Sequence, residues 1–226
     1  MEELKRQKEM LIEHLVSIGV IRSKHVLEAF RRVPREDFVL EEYRYEAYSD
    51  RPLPTLRGQT MSAPHMNAIL LEELELMQGH RVLEVGTGTG YQAALIAEIV
   101  GEEGLVVTIE RIKSLYEIAK KNLSRYRNVI VLRADGLEGC ERYKPYDRIL
   151  IATTVEEIPK KLLEQLKPGG VMVLPIYRGF RDERLVKVRK DFSGRIKKEY
   201  LMPVAFVHAK RGKEERKITL LFFLPR

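Results

Sequence analysis

Val82-Leu83-Glu84-Val85-Gly86-Thr87-Gly88-Thr89-Gly90-Tyr91 decides how this chain is read. Up to Val85 the stretch has the composition of a short buried strand. Beyond Gly90, Ala93, Ala94, Leu95, Ile96, Ala97 and Ile99 make a helix that packs closely on a sheet. Between them glycines alternate with Thr87 and Thr89, so strand, tight turn and helix start follow one another. α/β proteins hold nucleotides at such a place. Glycine admits positive φ and a close ligand, and free N–H groups at a helix start attract anionic or polar groups.

The spacing departs from the dinucleotide fingerprint G-x-G-x-x-G, because the third glycine comes one residue early. Glu84 stands two positions before the first glycine. The pattern E-x-G-x-G-x-G resembles the first motif of class I methyltransferases, which bind S-adenosylmethionine. The resemblance implies that Glu84 lies near the amino end of the methionine. Read from the residues alone, a glycine-rich turn without a ligand remains open.

Working outward, strands are expected at 81–85, 105–109, 129–132, 147–151 and 171–174, with helices at 91–100, 112–125 and 157–166. This alternation predicts a Rossmann-like, doubly wound, mostly parallel sheet with helices on both faces. Upstream, Leu4, Leu11, Leu15 and Ile18 share a helix face, Ser23 is placed to cap a second helix, and residues 34–57 are aromatic and irregular. Residues 1–57 are therefore expected to form a helical cap on an S-adenosylmethionine-binding domain of residues 58–226, as one unit. Ser62 is expected as an N-cap with Pro64 early in its helix. Pro168-Gly169-Gly170 reads as a turn before a strand. In the tail, residues 184–191 and 195–201 read as an antiparallel hairpin, and Ile218–Leu224 as a last strand.

Composition bounds the function. The 226 residues are 44% hydrophobic, which suits a globular core. The net charge of +7 is modest on a chain that is 32% charged with both signs interspersed. A solvated surface is expected rather than a nucleic-acid face. High Lys, Arg and Glu, no Trp and one Cys suit a heat-adapted protein. The single cysteine excludes an intrachain disulfide and a cysteine-based metal cluster, and no metal is expected. The first residues lack an apolar signal region and no run reaches membrane-spanning length, so a cytoplasmic protein without membrane attachment is expected.

Glu110 ends the second strand 24 residues beyond Gly86 (110 − 86), an offset at which an acid accepts from ribose hydroxyls. Pairing with Arg111 is its plain alternative. Asp135-Gly136 follows the third strand; it is a common turn dipeptide, and it also falls where an Asp could accept from an adenine amino group. After the fourth strand there is no polar-Pro-Pro-aromatic motif of base-amino methylation and no cysteine for attack on a pyrimidine, which argues against a nucleic-acid substrate.

Gly58-Gln59-Thr60-Met61-Ser62-Ala63-Pro64-His65-Met66-Asn67-Ala68, read with Val82–Tyr91, resembles the protein-L-isoaspartate O-methyltransferase family. The likeness extends through Glu110, Asp135-Gly136, Asp147–Thr153 and Leu166–Gly170, with Met61 in place of the usual isoleucine. Asn67 and His208 stand where many members have histidine and proline. The resemblance implies repair of damaged proteins. S-adenosylmethionine would methylate the free α-carboxylate of an L-isoaspartyl residue, and the ester would close to a succinimide, leaving S-adenosylhomocysteine. It implies a cofactor site at Gln59, Thr60, Met61, Ser62, Glu84, Gly86, Thr87, Gly88, Thr89, Gly90, Glu110, Asp135 and Gly136. It makes Ser62 the catalytic serine, Ser62, Val204 and Val207 the substrate contacts, and the enzyme a monomer. An RNA methyltransferase and a catalytically idle S-adenosylmethionine- or nucleotide-binding module are the alternatives. His65 stands outside the catalytic set, as ready to neighbour a carboxylate as to fill a helical turn.

Overall fold

The computed structural model describes residues 2–180 and 182–214. Helix α1 (Glu2–Ser17) buries Leu4, Leu11, Ile12 and Leu15 along the expected stripe, while Ile18 falls past its end and is exposed. Helix α2 (Lys24–Arg32) buries Val26, Ala29 and Phe30. Ser23 holds the N-cap position but does not cap through its side chain. Its hydroxyl and its amide both donate to Glu72 Oε1, at 3.0 and 2.9 Å, because a carboxylate is the stronger acceptor.

Two short antiparallel strands follow, β1 (Leu53–Pro54) and β2 (Thr60–Met61), with Leu53 opposite Met61. Helix α3 (Pro64–Leu74) has Ala63 as N-cap and Pro64 in its first turn. Ser62 thus lies one residue outside the cap expected of it. Pro64 starts the helix without needing an N–H there, so no side chain has to cap it.

The sheet follows the expected alternation: β3 (Arg81–Val85), α4 (Tyr91–Val100), β4 (Leu105–Glu110), α5 (Lys113–Asn122), β5 (Val129–Arg133), β6 (Tyr146–Ile151), α6 (Lys160–Gln165), β7 (Leu166–Tyr177), β8 (Glu183–Lys190) and β9 (Ile196–Pro203). The order is β5-β4-β3-β6-β7-β8-β9. The first five strands are parallel, and β8 and β9 run antiparallel. The chain leaves β3 towards β4 and β5, then crosses back to β6 and β7. The order therefore reverses between β3 and β6, and a crevice opens at their carboxyl ends.

Alternation along the strands splits the core in two. Val82, Val106, Leu150 and Val173 pack with the N-terminal helices and α4. Leu83, Val107, Ile149 and Met172 pack on the other face with Leu162 of α6. Every residue of α4 except Glu98 is buried, and Ala93, Ala94 and Ala97 let it lie close to the strands. Pro168-Gly169-Gly170 is not a turn ahead of a strand. Tyr146 pairs with Leu166 and Arg148 with Val171, so residues 167–170 form a bulge inside β7 opposite Asp147. Gly169 takes φ 80° there. The expected strand Ile218–Leu224 lies outside the described residues.

Candidate active site

The loop after β3 uses its glycines differently. Gly90 is the N-cap of α4 at φ 100°, and a Cβ there would stand 2.9 Å from Leu123. Its requirement is packing. Gly88, at φ 58°, has nothing within 4 Å of the place a Cβ would take. It faces a cavity of ≈ 320 Å³ whose walls include Gly86, Glu110, Gln59, Thr60, Ser62 and Val204. A smaller chamber of ≈ 130 Å³ adjoins it, with Gln59, Gly86, Glu110, Thr153 and Val207 common to both. Asp135 and Gly136 line the smaller one.

Glu110 stands at the seam. Its Oε2 accepts from the Gly88 amide at 3.0 Å and its Oε1 from the Ile112 amide at 2.8 Å. Burial raises its pKa, and these backbone bonds oppose the rise. Each oxygen keeps a lone pair for a ligand hydroxyl. The alternative pairing with Arg111 is not formed, since Arg111 Nε donates to the Gly212 carbonyl at 2.9 Å.

Asp135 plays the turn role. Its Oδ1 accepts from the Leu137 amide at 3.0 Å, while its Oδ2 accepts from the Gly212 amide at 2.7 Å. Gly136 leaves room for Val85, whose Cγ1 would lie 2.4 Å from an added Cβ. The glycine there is therefore required by close packing on β3. His208 to Glu214 pass over this chamber, and Arg133 Nη2 donates to the Glu214 carbonyl at 3.0 Å.

Met61, Glu84, Thr87, Thr89 and Gly90 stand behind the wall, and none of their side chains lines either chamber. Thr89 Oγ1 donates to Met61 Sδ at 3.4 Å, tying the glycine loop to β2. Thr87 and Thr108 hydroxyls lie 2.6 Å apart, and Thr108 Oγ1 meets Glu84 Oε2 at 2.5 Å. Glu84 is fully buried with its other oxygen unpartnered. Burial pushes its pKa up to about 8, against the lowering by Thr108. Burial thus favours its protonated form, in which it braces β3 on β4.

Ser62 is half-buried and lines the larger cavity. Its carbonyl accepts from Arg35 Nη2 at 2.8 Å, and its hydroxyl has no hydrogen-bond partner among the described residues. Nearby, His65 lines the same cavity, and both its amide and its Nδ1 meet Asp50 Oδ1, at 2.9 and 2.8 Å. Opposite lies the strap Met202–Val207, with Val204 and Val207 in the wall. The Val204 amide donates to the Glu183 carbonyl at 3.0 Å, the Phe206 amide to Glu183 Oε1 at 2.7 Å, and the Thr154 amide to the Val207 carbonyl at 2.9 Å. Arg35, Asp50 and Glu183, which hold these walls, carry no signal in the sequence. They lie outside the motifs and reach the site only through folding.

The walls fit S-adenosylmethionine. A carboxylate with free lone pairs stands at the seam of two chambers, and the space over Gly88 is open for a ligand to approach the backbone. Among the described residues no cluster of metal-ligating side chains forms.

The profile of the family "Protein-L-isoaspartate(D-aspartate) O-methyltransferase" matches residues 6–214. The protein-L-isoaspartate O-methyltransferase of Ignicoccus hospitalis is 49% identical over 209 residues, covering 92% of this chain and 97% of that one. Protein-L-isoaspartate O-methyltransferase 1 of Archaeoglobus fulgidus is 57% identical over 171 residues, 75% of this chain and 78% of that one. A solved protein-L-isoaspartate O-methyltransferase superposes with a TM-score of 0.83 at 35% identity, over 90% of this chain and 66% of that one. A putative member from Plasmodium falciparum, in complex with S-adenosyl-L-homocysteine, superposes with a TM-score of 0.80 at 27% identity, over 89% and 97%. With the profile spanning nearly all of the described chain, and relatives near half identity over most of it, this protein belongs to the protein-L-isoaspartate (D-aspartate) O-methyltransferase family.

Proposed function

We propose that the protein methylates the free α-carboxylate of L-isoaspartyl residues in damaged proteins and peptides, with S-adenosylmethionine as donor. The observation that carries this reading is the Ser62 hydroxyl, which borders the cavity beside Gly88 and has no protein partner among the described residues. When bound, S-adenosylmethionine supplies a sulfonium-activated methyl group. The carboxylate nucleophile is ionised at neutral pH without a base. What the chain must supply is in-line placement and exclusion of water, where orientation is worth up to roughly 7–11 kcal/mol. Ser62 donates a hydrogen bond that aims one carboxylate oxygen. Glu110 takes the ribose hydroxyls and Asp135 the adenine amino group, each on a lone pair left free by its backbone bonds. The strap Val204–Val207 covers the substrate side. Action as a monomer belongs to the proposal. The test is a peptide pair with labelled S-adenosylmethionine. Methyl transfer to the isoaspartyl peptide but not its aspartyl twin is expected; equal transfer to both, or none to either, would sink the reading.

Ser62→Ala is expected to lose at least about tenfold in kcat/KM, roughly 1.4 kcal/mol of transition-state stabilisation. Its melting temperature should hardly move, because Ala63 rather than Ser62 caps α3. Normal kinetics with lowered stability would return Ser62 to a structural part.

Single-turnover rates with both substrates saturating should be level across about pH 6 to 8, since an isoaspartyl carboxylate ionises well below that range. A log-rate slope of +1 through neutrality that vanishes in His65→Ala would reveal a general base. The carboxylate mechanism would then be wrong.

A further inference from the structure

Arg35 is fully buried, and its guanidinium is spread over three neutral oxygens. Nε donates to the Ala47 carbonyl at 2.8 Å, Nη1 to Asn67 Oδ1 at 3.1 Å and Nη2 to the Ser62 carbonyl at 2.8 Å. Its Cζ lies 4.9 Å from the centre of the Tyr91 ring, which follows the glycine loop directly. Asn67 in turn donates to Gln92 Oε1 at 2.6 Å. Arg35 forms no ion pair among the described residues. Burial draws its pKa down to about 10, so it remains charged at neutral pH.

A buried cation without a counter-ion is costly. The apolar surroundings, Phe30 and Phe38 against Tyr91, would be served by an apolar side chain if filling space were all that was needed. What a guanidinium adds is a rigid planar fork that fixes several acceptors relative to one another. Here the acceptors belong to the loop before β1, to the Ser62 turn and to α3, and the aromatic face belongs to α4. One side chain thereby sets the distance between the Ser62 turn and the glycine loop. Asp50, from the same N-terminal region, grips His65 three residues further on. The segment 62–67 is anchored through its carbonyl, an amide and two side chains, while the Ser62 hydroxyl is left free.

We propose that Arg35 is a positioning residue for methyl transfer: it holds the Ser62 turn against the start of α4, so that the Ser62 hydroxyl meets the substrate carboxylate in line with the methyl group. The proposal rests on the role given to Ser62 above. The N-terminal helices then set the geometry of the reaction as well as enclosing the core.

The test is a double-mutant cycle of Arg35→Lys with Ser62→Ala. Isoaspartyl-peptide kinetics and S-adenosylmethionine binding by calorimetry are measured on folded protein. Lysine keeps the charge and three donors, but on one compact nitrogen without the planar fork that spans these three acceptors. Arg35→Lys should lower kcat about tenfold or more, with peptide KM and S-adenosylmethionine Kd changed by less than about threefold. In the Ser62→Ala background the same change should cost less than about threefold, because its route of action is gone. Losses that multiply, wild-type kcat in a folded Arg35→Lys, or a loss confined to S-adenosylmethionine affinity would each overturn the proposal. If Arg35→Lys does not fold, Asn67→Ala, which removes one arm of the fork's grip, is judged by the same cycle. A wild-type protein that methylates no isoaspartyl peptide would overturn the functional reading and this proposal with it. Wild-type turnover with multiplying losses overturns the role of Arg35 alone.

Discussion

Gly88→Val should abolish S-adenosylmethionine binding and leave a folded protein. The position tolerates a side chain as far as the protein is concerned, since nothing lies within 4 Å of the place a Cβ would occupy. Its φ of 58° is strained for a β-branched residue, at roughly 1–2 kcal/mol, which a stable domain survives. The new methyl groups would occupy the space over the loop in the larger cavity, where a ligand must approach the backbone. A loss of at least about a hundredfold in affinity, roughly 2.7 kcal/mol, is expected by calorimetry, with an unchanged circular dichroism spectrum. Undiminished binding would remove this loop from the cofactor site. Gly90→Ala makes the contrast. Its Cβ would press on Leu123 at 2.9 Å with φ at 100°, and overpacking of that kind costs about 1–3 kcal/mol of stability. The expectation is that the ligand requires one glycine and the fold the other, and the two variants separate them.

Glu84→Gln should make stability less dependent on pH. An acid whose folded pKa lies above its unfolded value keeps its proton in the folded chain while the unfolded chain ionises. For Glu84, raised from 4.5 to about 8, the contribution to stability is complete below pH 4.5 and falls as pH rises towards 8, by up to about 1.4 kcal/mol per unit. Glutamine is nearly isosteric, can meet the Thr108 hydroxyl and does not titrate. The stability of Glu84→Gln relative to wild type should therefore be greater at pH 8 than at pH 5, by roughly 2–4 kcal/mol. Denaturant melts at both pH values measure it. An equal difference at both would mean that Glu84 ionises as an ordinary carboxylate in the folded protein.

Much of this molecule was legible in one dimension because its signals are local. Hydrophobic runs of strand length, the helical spacing of α1 and the glycines after Val85 act through neighbouring residues. The expected strands accordingly lie within a residue of the observed ones on β3 to β6. The G-Q-T-M-S segment and Glu110 were equally visible, since a motif preserves spacing along the chain. Gln59, Thr60, Ser62 and Glu110 line the larger cavity, while Met61 stands behind it.

Tertiary structure decided the rest. Pro168-Gly169-Gly170 reads as a turn by its residues, yet the register between β6 and β7 makes it a bulge, because pairing belongs to two strands and not to one. Glu84 and Glu110 are both acids beside the glycine loop. They share one face of the sheet, Glu84 opposite Thr108 and Glu110 two residues further on. Only the packing shows that one is enclosed behind the wall while the other, at its strand's carboxyl end, borders the cavity. The holders of the Ser62 turn were invisible for the same reason. Arg35 reaches Ser62 across 27 residues and Asp50 reaches His65 across 15, through an irregular segment with no period to read. The sequence by itself determined which chemistry-bearing residues are present and on which edge they gather. Packing between non-periodic segments determined which of them face the cavity, since burial and direction depend on partners distant along the chain.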